Sequence, residues 1–523
     1  MSSALSRIVK DGWAGYAASV VLAALYPTLF VLSQNWYALQ AKQSAFLVAF
    51  AIVSGLVIYA IVEGALRLID WIAAKWQRPP VSPGLRAIVF GVVCTVIICL
   101  LLAKTIKVAV PDRILVIAVY IAIGAVFVWA FRAGARRRVN AFLSVLSAVA
   151  ATSWLVSTMD TSQSWIGSVR QDFEQAKFTH KPNIYLFIYD AYSSADAYQK
   201  VFDFDNSQHY ADLAQRGIKV VHTFSNYNST LQTAISVFLG KHHFYSTETG
   251  LADSQSGRPL LAGVVHNPVL ATLKSNGYQL QYIHGIDYFV NEQGVLDYVF
   301  PDKPISSALR VFGAPLLRMK RKIGLEPQME VLRTRLHATP KPGEPPWFTF
   351  AHVNLPAHSD MDVHWRQLES FEEDFRQKTK IANVNMLDTI DRIRAADPEA
   401  VILIFGDHGA HRYNRLADVD DPNAAFKEAG ISPEVAALDD FGIMIAVGSG
   451  GRCDDEVYDG MTPVNMMRTL FACLADDKSL LDNRVEDIAL YRGKERQNVF
   501  LTAQDGRTLP EWKPFEAPRA PAE

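Results

Sequence analysis

The sequence predicts an N-terminal bundle of five transmembrane α-helices, followed by an α/β domain with a central, mostly parallel sheet. Nearly all the long apolar runs of the 523-residue chain lie before residue 158, whereas the remainder has an ordinary globular composition. Two later segments, residues 263–285 and 381–407, each read as a helix, a turn and a strand. That repetition favours a parallel sheet with helices on both faces.

The membrane half contains five apolar segments, each close to the ~20 residues that cross a bilayer as a helix. They are residues 14–33, 45–65, 87–103, 114–131 and 139–158. The first segment has no small-residue cleavage site, so we interpret it as a retained anchor. Basic residues follow the second and fourth segments, and Arg136, Arg137 and Arg138 form the densest group. This bias predicts a cytoplasmic N-terminus, and five crossings then place residue 160 onward outside the cytoplasm.

Composition divides the chain into four predicted parts: the membrane domain 1–158, a linker helix 159–180 on the membrane surface, the α/β domain 181–502 and a disordered tail 503–523. Within the second apolar segment, Glu63 would be costly facing lipid, so it lies at the cytoplasmic boundary or lines a cavity. Two cysteines of the later half, Cys453 and Cys473, could pair if that half is extracytoplasmic.

The net charge of −2 and the pI near 6.7 argue against nucleic acid as a partner, because binding to a phosphate backbone needs a concentrated basic surface. We therefore expect a membrane-embedded protein that does not bind nucleic acid. The sequence leaves its oligomeric state open.

Chemically useful side chains follow two buried strands. The apolar run 181–190 ends in Asp190, and the run that starts at residue 400 ends in Asp407, His408 and Gly409. Ligands bind at the carboxyl edge of open α/β sheets, and carboxylate and imidazole are both common metal ligands. The two strand ends could therefore hold one divalent ion between them.

A third segment adds a hydroxyl group. Apolar residues at 234–239, followed by Gly240, predict a short helix whose N-terminal end lies at or near Thr230. Threonine often caps a helix by accepting hydrogen bonds from free backbone N–H groups. The same N–H groups and the helix dipole also favour an alkoxide or a phosphate, so Thr230 is either a plain cap or a nucleophile.

Together these segments resemble the sulfatase-like branch of the alkaline phosphatase superfamily. The shared features are a strand ending in aspartate, a hydroxyl ten residues before a glycine, and a strand followed by Asp-His-Gly. Five spans ahead of such a domain resemble the lipoteichoic acid synthases and the lipid A phosphoethanolamine transferases. The resemblance makes residues 181–502 a sulfatase-like catalytic domain. Thr230 has no Pro or Arg in the four residues after it, so sulfatase chemistry through formylglycine is not expected.

By this resemblance, Asp190, Thr230, Asp407 and His408 would bind one divalent metal ion, zinc or manganese, and Thr230 would be the nucleophile. His352 and His358 would contact substrate or act as an acid, although the interval between them is six residues where the family has about five. We expect a second, weaker metal site only from His411, Asp360 and His364, since no histidine follows His411.

The resemblance implies a phosphotransferase of the cell envelope, anchored in the bacterial inner membrane with a periplasmic catalytic domain. It would take phosphoethanolamine or phosphoglycerol from a phospholipid donor, through a phosphothreonine, to a glycan or lipid acceptor. Two alternatives remain open. One is an extracytoplasmic phosphate- or sulfate-ester hydrolase of the same superfamily, and the other is a non-catalytic relative that binds.

Overall fold

The computed structural model describes residues 13–35, 39, 41–103, 106, 113–159, 169–243, 258–261, 265–284, 295–300, 325–357, 368–413, 426–492, 497–501 and 513–514. The chain divides into two compact units. The first contains the described residues up to Met159, and the second contains those from Val169 onward.

The first unit consists of five long apolar helices, as the hydropathy pattern predicts. They are α1 (Trp13–Gln34), α2 (Ala41–Lys75), α3 (Pro83–Leu101), α4 (Arg113–Arg132) and α5 (Arg136–Met159). By length and composition, each could cross a membrane. Helix α1 packs against α2, α3 and α5. A polar contact joins α1 to α5, where Asn140 Nδ2 donates to the carbonyl of Gly15 at 3.0 Å.

Glu63 of α2 does not face lipid, since it is only 6% exposed. Its carboxylate accepts from Arg67 Nε at 3.1 Å, and from Arg86 Nη1 of α3 at 3.1 and 3.0 Å. Arg86 also pairs with Asp70, whose other oxygen accepts from the Val81 N–H at 2.6 Å. The two carboxylates and two guanidinium groups thus form an ion-pair cluster between α2 and α3.

The second unit is built on a seven-stranded sheet in the order β2-β7-β6-β1-β5-β3-β4. Its strands are β1 (Ile184–Tyr189), β2 (Lys219–Phe224), β3 (Gln279–His284), β4 (Tyr298–Phe300), β5 (Trp347–Val353), β6 (Val401–Gly406) and β7 (Gly442–Gly448). Strand β7 is antiparallel to both neighbours, and the other pairings are parallel. The predicted mostly parallel sheet is confirmed.

Helices alternate with these strands along the chain. They are α6 (Ala195–Phe202), α7 (Ser207–Gln215), α8 (Thr230–Leu239), α9 (Arg258–Leu261), α10 (Pro268–Ser275), α11 (Leu325–Thr334), α12 (Leu368–Ala396), α13 (Pro433–Phe441) and α14 (Pro463–Ala475). A smaller antiparallel sheet follows, of β8 (Ile488–Arg492), β9 (Gln497–Leu501) and β10 (Lys513–Pro514). Gly240 ends α8 with a φ of 65°, as its sequence position predicts, because glycine takes this left-handed conformation without a steric penalty.

The described part of the predicted linker helix, residues 169–180, contains a 3-10 turn at Asp172–Gln175 rather than an α-helix. Two interactions hold that turn on the rest of the second unit. Phe173 is buried against Phe471, and Asp172 pairs with the buried Arg468 at 2.7 Å. At least one apolar residue of this segment, Phe173, therefore packs against the rest of the second unit.

Cys453 and Cys473 form a disulfide with a Cα–Cα distance of 5.4 Å. Cys473 belongs to α14, and Cys453 lies in the turns that follow β7. The bond links these two segments beside the main sheet.

Candidate metal and nucleophile site

The parallel order of the sheet brings distant residues to one edge. Asp190 follows β1, and Asp407 and His408 follow β6, which pairs with β1 in register. On the other side of β1, β5 carries His352 opposite Ile188. Parallel strands end at the same edge of a sheet, so residues far apart in sequence meet there.

Asp190, His352 and Asp407 form a buried group whose ligand atoms all lie within 4.8 Å of one another. His352 Nε2 is 3.4 Å from Asp190 Oδ2. The other strand end contributes His408, whose Nε2 is 3.4 Å from Asp407 Oδ2 and 3.9 Å from Asp190 Oδ1. Within the described residues, the ion-pair partners of both carboxylates are thus imidazoles.

Thr230 belongs to the same cluster. Its Oγ1 lies 3.2 Å from His408 Nε2. Thr230 is the first residue of α8, and Ser229 before it is the N-cap residue, with no capping bond from its side chain. Thr230 is therefore not the cap residue, and its hydroxyl meets the metal-site candidates at the positive end of a helix dipole.

The tautomer of His408 follows from its second ring nitrogen. Nδ1 lies 2.8 Å from the carbonyl oxygen of Gly409, which can only accept a hydrogen bond. Nδ1 therefore carries a proton, so Nε2 is the ring nitrogen that could bind a metal ion. A histidine that binds a metal ion usually donates its other N–H in this way.

Hydrogen bonds occupy one carboxylate oxygen of Asp407 and leave the other available to a metal ion. Its Oδ1 accepts from the backbone N–H groups of Ala191 at 2.9 Å and His408 at 3.1 Å. Its Oδ2 is buried and accepts no hydrogen bond within the described residues. A buried carboxylate oxygen without a donor is costly, and a divalent cation would satisfy it. The donor set of carboxylate, hydroxyl and imidazole suits zinc or manganese.

The loop after His408 is fastened to the end of α13. Gly409 N–H donates to the carbonyl of Asp440 at 2.9 Å, and a Cβ at Gly409 would lie 2.0 Å from the carbonyl of Asp439. The Asp439 carboxylate accepts from the N–H groups of Arg412 at 3.0 Å and Tyr413 at 2.7 Å. The glycine of the Asp-His-Gly motif is thus required by close packing of this loop.

Burial raises the pKa of both Asp439 and Asp440. Hydrogen bonds from Tyr413 and Arg412 oppose this effect at Asp439, whereas the charge of Asp439 adds to it at Asp440. The two carboxyl groups therefore share a region where a negative charge is disfavoured.

His284 lies beside the cluster, although its place in the sequence alone indicates only packing or surface hydrogen bonding. It is the last residue of β3, is fully buried and pairs in register with His352. Directly paired residues of neighbouring strands lie on the same face of the sheet. Phe350 and Tyr282 pack against the His284 ring. The position of His284 at a strand end was the signal that could have found it.

The other predicted residues are placed less completely. The rings of His411 and His408 stack with centroids 4.5 Å apart, and His411 has a φ of 62°. His358, Asp360 and His364 lie outside the described residues. The predicted second metal site of His411, Asp360 and His364 therefore stays a prediction, since two of its three members lie outside the described residues.

No protein-family model matches the sequence, and a search of curated proteins finds no match either. Solved structures do match. The C-terminal periplasmic domain of EcEptC from Escherichia coli, in complex with zinc, has 12% identity and a TM-score of 0.39, covering 58% of this chain and 85% of its own. The soluble domain of lipooligosaccharide phosphoethanolamine transferase A from Neisseria meningitidis has 11% identity and a TM-score of 0.35, covering 59% and 93%.

A protein in the alkaline phosphatase superfamily from Vibrio parahaemolyticus also matches, with 12% identity and a TM-score of 0.38, covering 68% of this chain and 90% of its own. These proteins belong to the group that the sequence motifs resemble. At such scores the likeness carries no argument about activity. Inferences about chemistry rest on the arrangement of the residues in this chain.

Proposed function

We propose that the protein is a membrane-anchored, metal-dependent phosphotransferase whose nucleophile is Thr230. The observation that carries this proposal is the position of the Thr230 hydroxyl. It lies 3.2 Å from His408 Nε2, which in turn lies beside Asp407 and Asp190. A plain helix cap would direct its hydroxyl at backbone N–H groups instead.

In the proposed first step, Thr230 Oγ forms a bond to the phosphorus of a phospholipid. The bond from phosphorus to the diacylglycerol oxygen breaks, and diacylglycerol leaves with the proton that the Thr230 hydroxyl gives up. The resulting phosphothreonine carries the head group, phosphoethanolamine or phosphoglycerol. In the second step a hydroxyl or amine of a glycan or lipid acceptor displaces Thr230 and regenerates its hydroxyl.

Asp190, Thr230, Asp407 and His408 would hold one zinc or manganese ion, which lowers the pKa of the threonine hydroxyl and shields the phosphoryl oxygens. His408 keeps its Nε2 lone pair directed at the cluster through the contact between Nδ1 and Gly409. His352, on the opposite side of Asp190, would contact a phosphoryl oxygen or move a proton. The N-terminal N–H groups of α8 would favour the added negative charge.

We place the catalytic domain on the outer face of the bacterial inner membrane, with the N-terminus in the cytoplasm. The three arginines that begin α5, Arg136, Arg137 and Arg138, support this orientation. The disulfide between Cys453 and Cys473 also supports it, because such bonds persist mainly in oxidising compartments. Anchoring in the lipid bilayer would keep a phospholipid donor at high local concentration.

Mass spectrometry of the full-length protein in detergent tests the proposal. Wild type is incubated with zinc or manganese and with phosphatidylethanolamine or phosphatidylglycerol, and the intact mass and peptides are then measured. We expect an adduct on Thr230 whose mass identifies the head group, together with release of diacylglycerol. Thr230→Ala should form none, whereas Ser229→Ala, which removes the neighbouring hydroxyl, should behave as wild type.

Wild type that forms no adduct and releases no diacylglycerol with either metal would contradict the transferase proposal and favour a non-catalytic relative. If the adduct is lost to water at the same rate with and without an added acceptor, the result would instead favour a hydrolase.

A further inference from the structure

Ser225 is a fully buried serine that directly follows β2, at the same sheet edge as the metal-site candidates. Its hydroxyl contacts the carbonyl oxygens of Asp407 and Tyr227, and it lies 2.9 Å from Thr233 Oγ1. The Tyr227 N–H donates to it at 3.3 Å. One hydroxyl therefore joins the backbone of a metal-ligand candidate, Asp407, to the loop and helix that carry Thr230.

Each hydroxyl can donate only one proton, which decides the direction of these hydrogen bonds. Thr233 Oγ1 also lies 3.1 Å from the carbonyl of Tyr227, so its proton can serve that oxygen. The Tyr227 N–H then supplies the donor that Ser225 accepts, and the single Ser225 proton goes to the carbonyl of Asp407. In this arrangement each hydroxyl donates to one carbonyl, so removal of either hydroxyl takes a hydrogen-bond donor from a buried carbonyl.

Asp407 is consequently fixed at both of its ends. Its carboxylate Oδ1 is held by the N–H groups of Ala191 and His408, and its carbonyl is held by Ser225. Thr233 lies one helical turn after Thr230 on α8. Its bond to the carbonyl of Tyr227, whose N–H donates to Ser225, therefore ties the Thr230 helix to the same point.

We propose that Ser225 is a positioning residue of the metal site, which sets Asp407 and the Thr230 helix at ligand distance from a common ion. This inference rests on the proposed function, in that it requires the cluster to bind a divalent cation. Groups that orient metal ligands through hydrogen bonds typically contribute 10–100-fold to metal affinity or activity.

The test uses zinc alone as the probe and full-length protein in detergent. Zinc affinity is measured by competition with a chromophoric chelator for wild type, Ser225→Ala, Thr233→Val and Ser236→Ala. The last is the matched control, because Ser236 is a fully buried serine of the same helix that donates at 2.8 Å to the carbonyl of Thr233 and touches no ligand. Thermal unfolding without metal is recorded for each protein.

We expect Ser225→Ala to bind zinc about 10–100-fold more weakly and Thr233→Val to show a smaller loss, while Ser236→Ala binds as wild type. All three variants should lose metal-free thermal stability, since each loses a buried hydrogen bond. Cobalt substituted for zinc gives a second readout, because its visible spectrum reports ligand geometry. That spectrum should change in Ser225→Ala and Thr233→Val but not in Ser236→Ala.

Equal zinc affinity and equal cobalt spectra in the Ser225, Thr233 and Ser236 variants would overturn this inference while leaving the proposed function intact. Wild type that binds none of zinc, cobalt and manganese would overturn both. If Ser225→Ala does not fold, Thr233→Val alone decides the outcome, because it keeps the shape of the side chain and removes only the hydroxyl.

Discussion

Two buried clusters of carboxylates in this protein are neutralised in different ways. In the first unit, Glu63 and Asp70 are matched by the guanidinium groups of Arg67 and Arg86. In the second unit, Asp190 and Asp407 meet the imidazoles of His352 and His408 within the described residues.

The difference separates a structural cluster from one suited to bind a cation. Arginine stays charged at all physiological pH values and offers several donors, so it satisfies a buried carboxylate permanently. A neutral imidazole can instead bind a cation, and His408 directs Nε2 at the cluster because its Nδ1 contacts the carbonyl of Gly409. Asp407 also keeps one oxygen without a hydrogen bond in the described part of the chain. A binding site retains such unsatisfied groups at a cost in stability.

We expect Asp407→Asn to show the largest difference between its effect on zinc binding and its effect on metal-free stability. An asparagine oxygen can still accept from the N–H groups of Ala191 and His408, so the metal-free protein should be as stable as wild type or more stable. Loss of the charged ligand should weaken zinc binding by at least about 100-fold, more than the loss of an orienting group. Zinc competition and metal-free thermal unfolding measure the two effects. A large loss of metal-free stability in Asp407→Asn would mean that this cluster, like the Glu63 cluster, is structural.

Arg86→Met should have the opposite pattern. The carboxylate of Glu63 would lose two of its three hydrogen bonds while remaining buried, and breaking a buried pair typically costs about 3–5 kcal/mol. Denaturant unfolding in detergent should show this loss, with zinc affinity unchanged. Arg67→Met is the control and should cost less, because the Arg67 side chain is 46% exposed. Equal effects of the two variants would argue against Arg86 as the centre of the cluster.

Asp439→Ala should produce a mixed result, because this carboxylate is satisfied by backbone N–H groups. Its loss leaves the N–H groups of Arg412 and Tyr413 without their acceptor, at roughly 1–3 kcal/mol for each group that stays buried. The loop after His408 should loosen, so both the free energy of unfolding and zinc affinity should fall. For Asp439→Asn, the free energy of unfolding and the zinc affinity should both lie between those of Asp439→Ala and wild type. Unchanged zinc affinity in Asp439→Ala would show that the loop does not depend on this contact.

The smallest effect concerns His209, a buried imidazole whose nitrogens have no hydrogen-bond partner within the described residues. Burial lowers the pKa of His209 to about 4, an effect that Arg216 adds to and Asp212 opposes. The unfolded chain would bind a proton near pH 6.5, so stability should be lost as the pH falls from about 6.5 to about 4. His209→Gln should reduce that loss by up to roughly 3 kcal/mol. If wild type and His209→Gln have the same pH profile of unfolding free energy, burial of His209 does not cause the loss of stability at low pH.

Local sequence was sufficient to predict several elements because their signals are short-range. The five apolar runs identify α1 to α5, and Gly240 marks the end of α8. The apolar runs before Asp190 and Asp407 identify β1 and β6 as buried strands. In each case the pattern of burial is written in consecutive residues, so no distant contact is needed to read it.

The linker shows where the same reasoning fails. Its apolar residues predicted an α-helix on the membrane surface, but Phe173 packs against Phe471 and Arg468 holds Asp172. These partners lie about 300 residues further along the chain. Amphipathic spacing shows that a face will be buried, but it does not show against what.

The amino-acid sequence by itself determined which residues could do chemistry, because Asp190, Thr230, Asp407 and His408 stand in recognisable positions beside strands and a helix. Only the tertiary structure decided that Ser225 joins Asp407 to the loop before the Thr230 helix and that His284 lies beside His352. Strand order and register set those neighbours, and they depend on how the whole sheet assembles rather than on any local pattern.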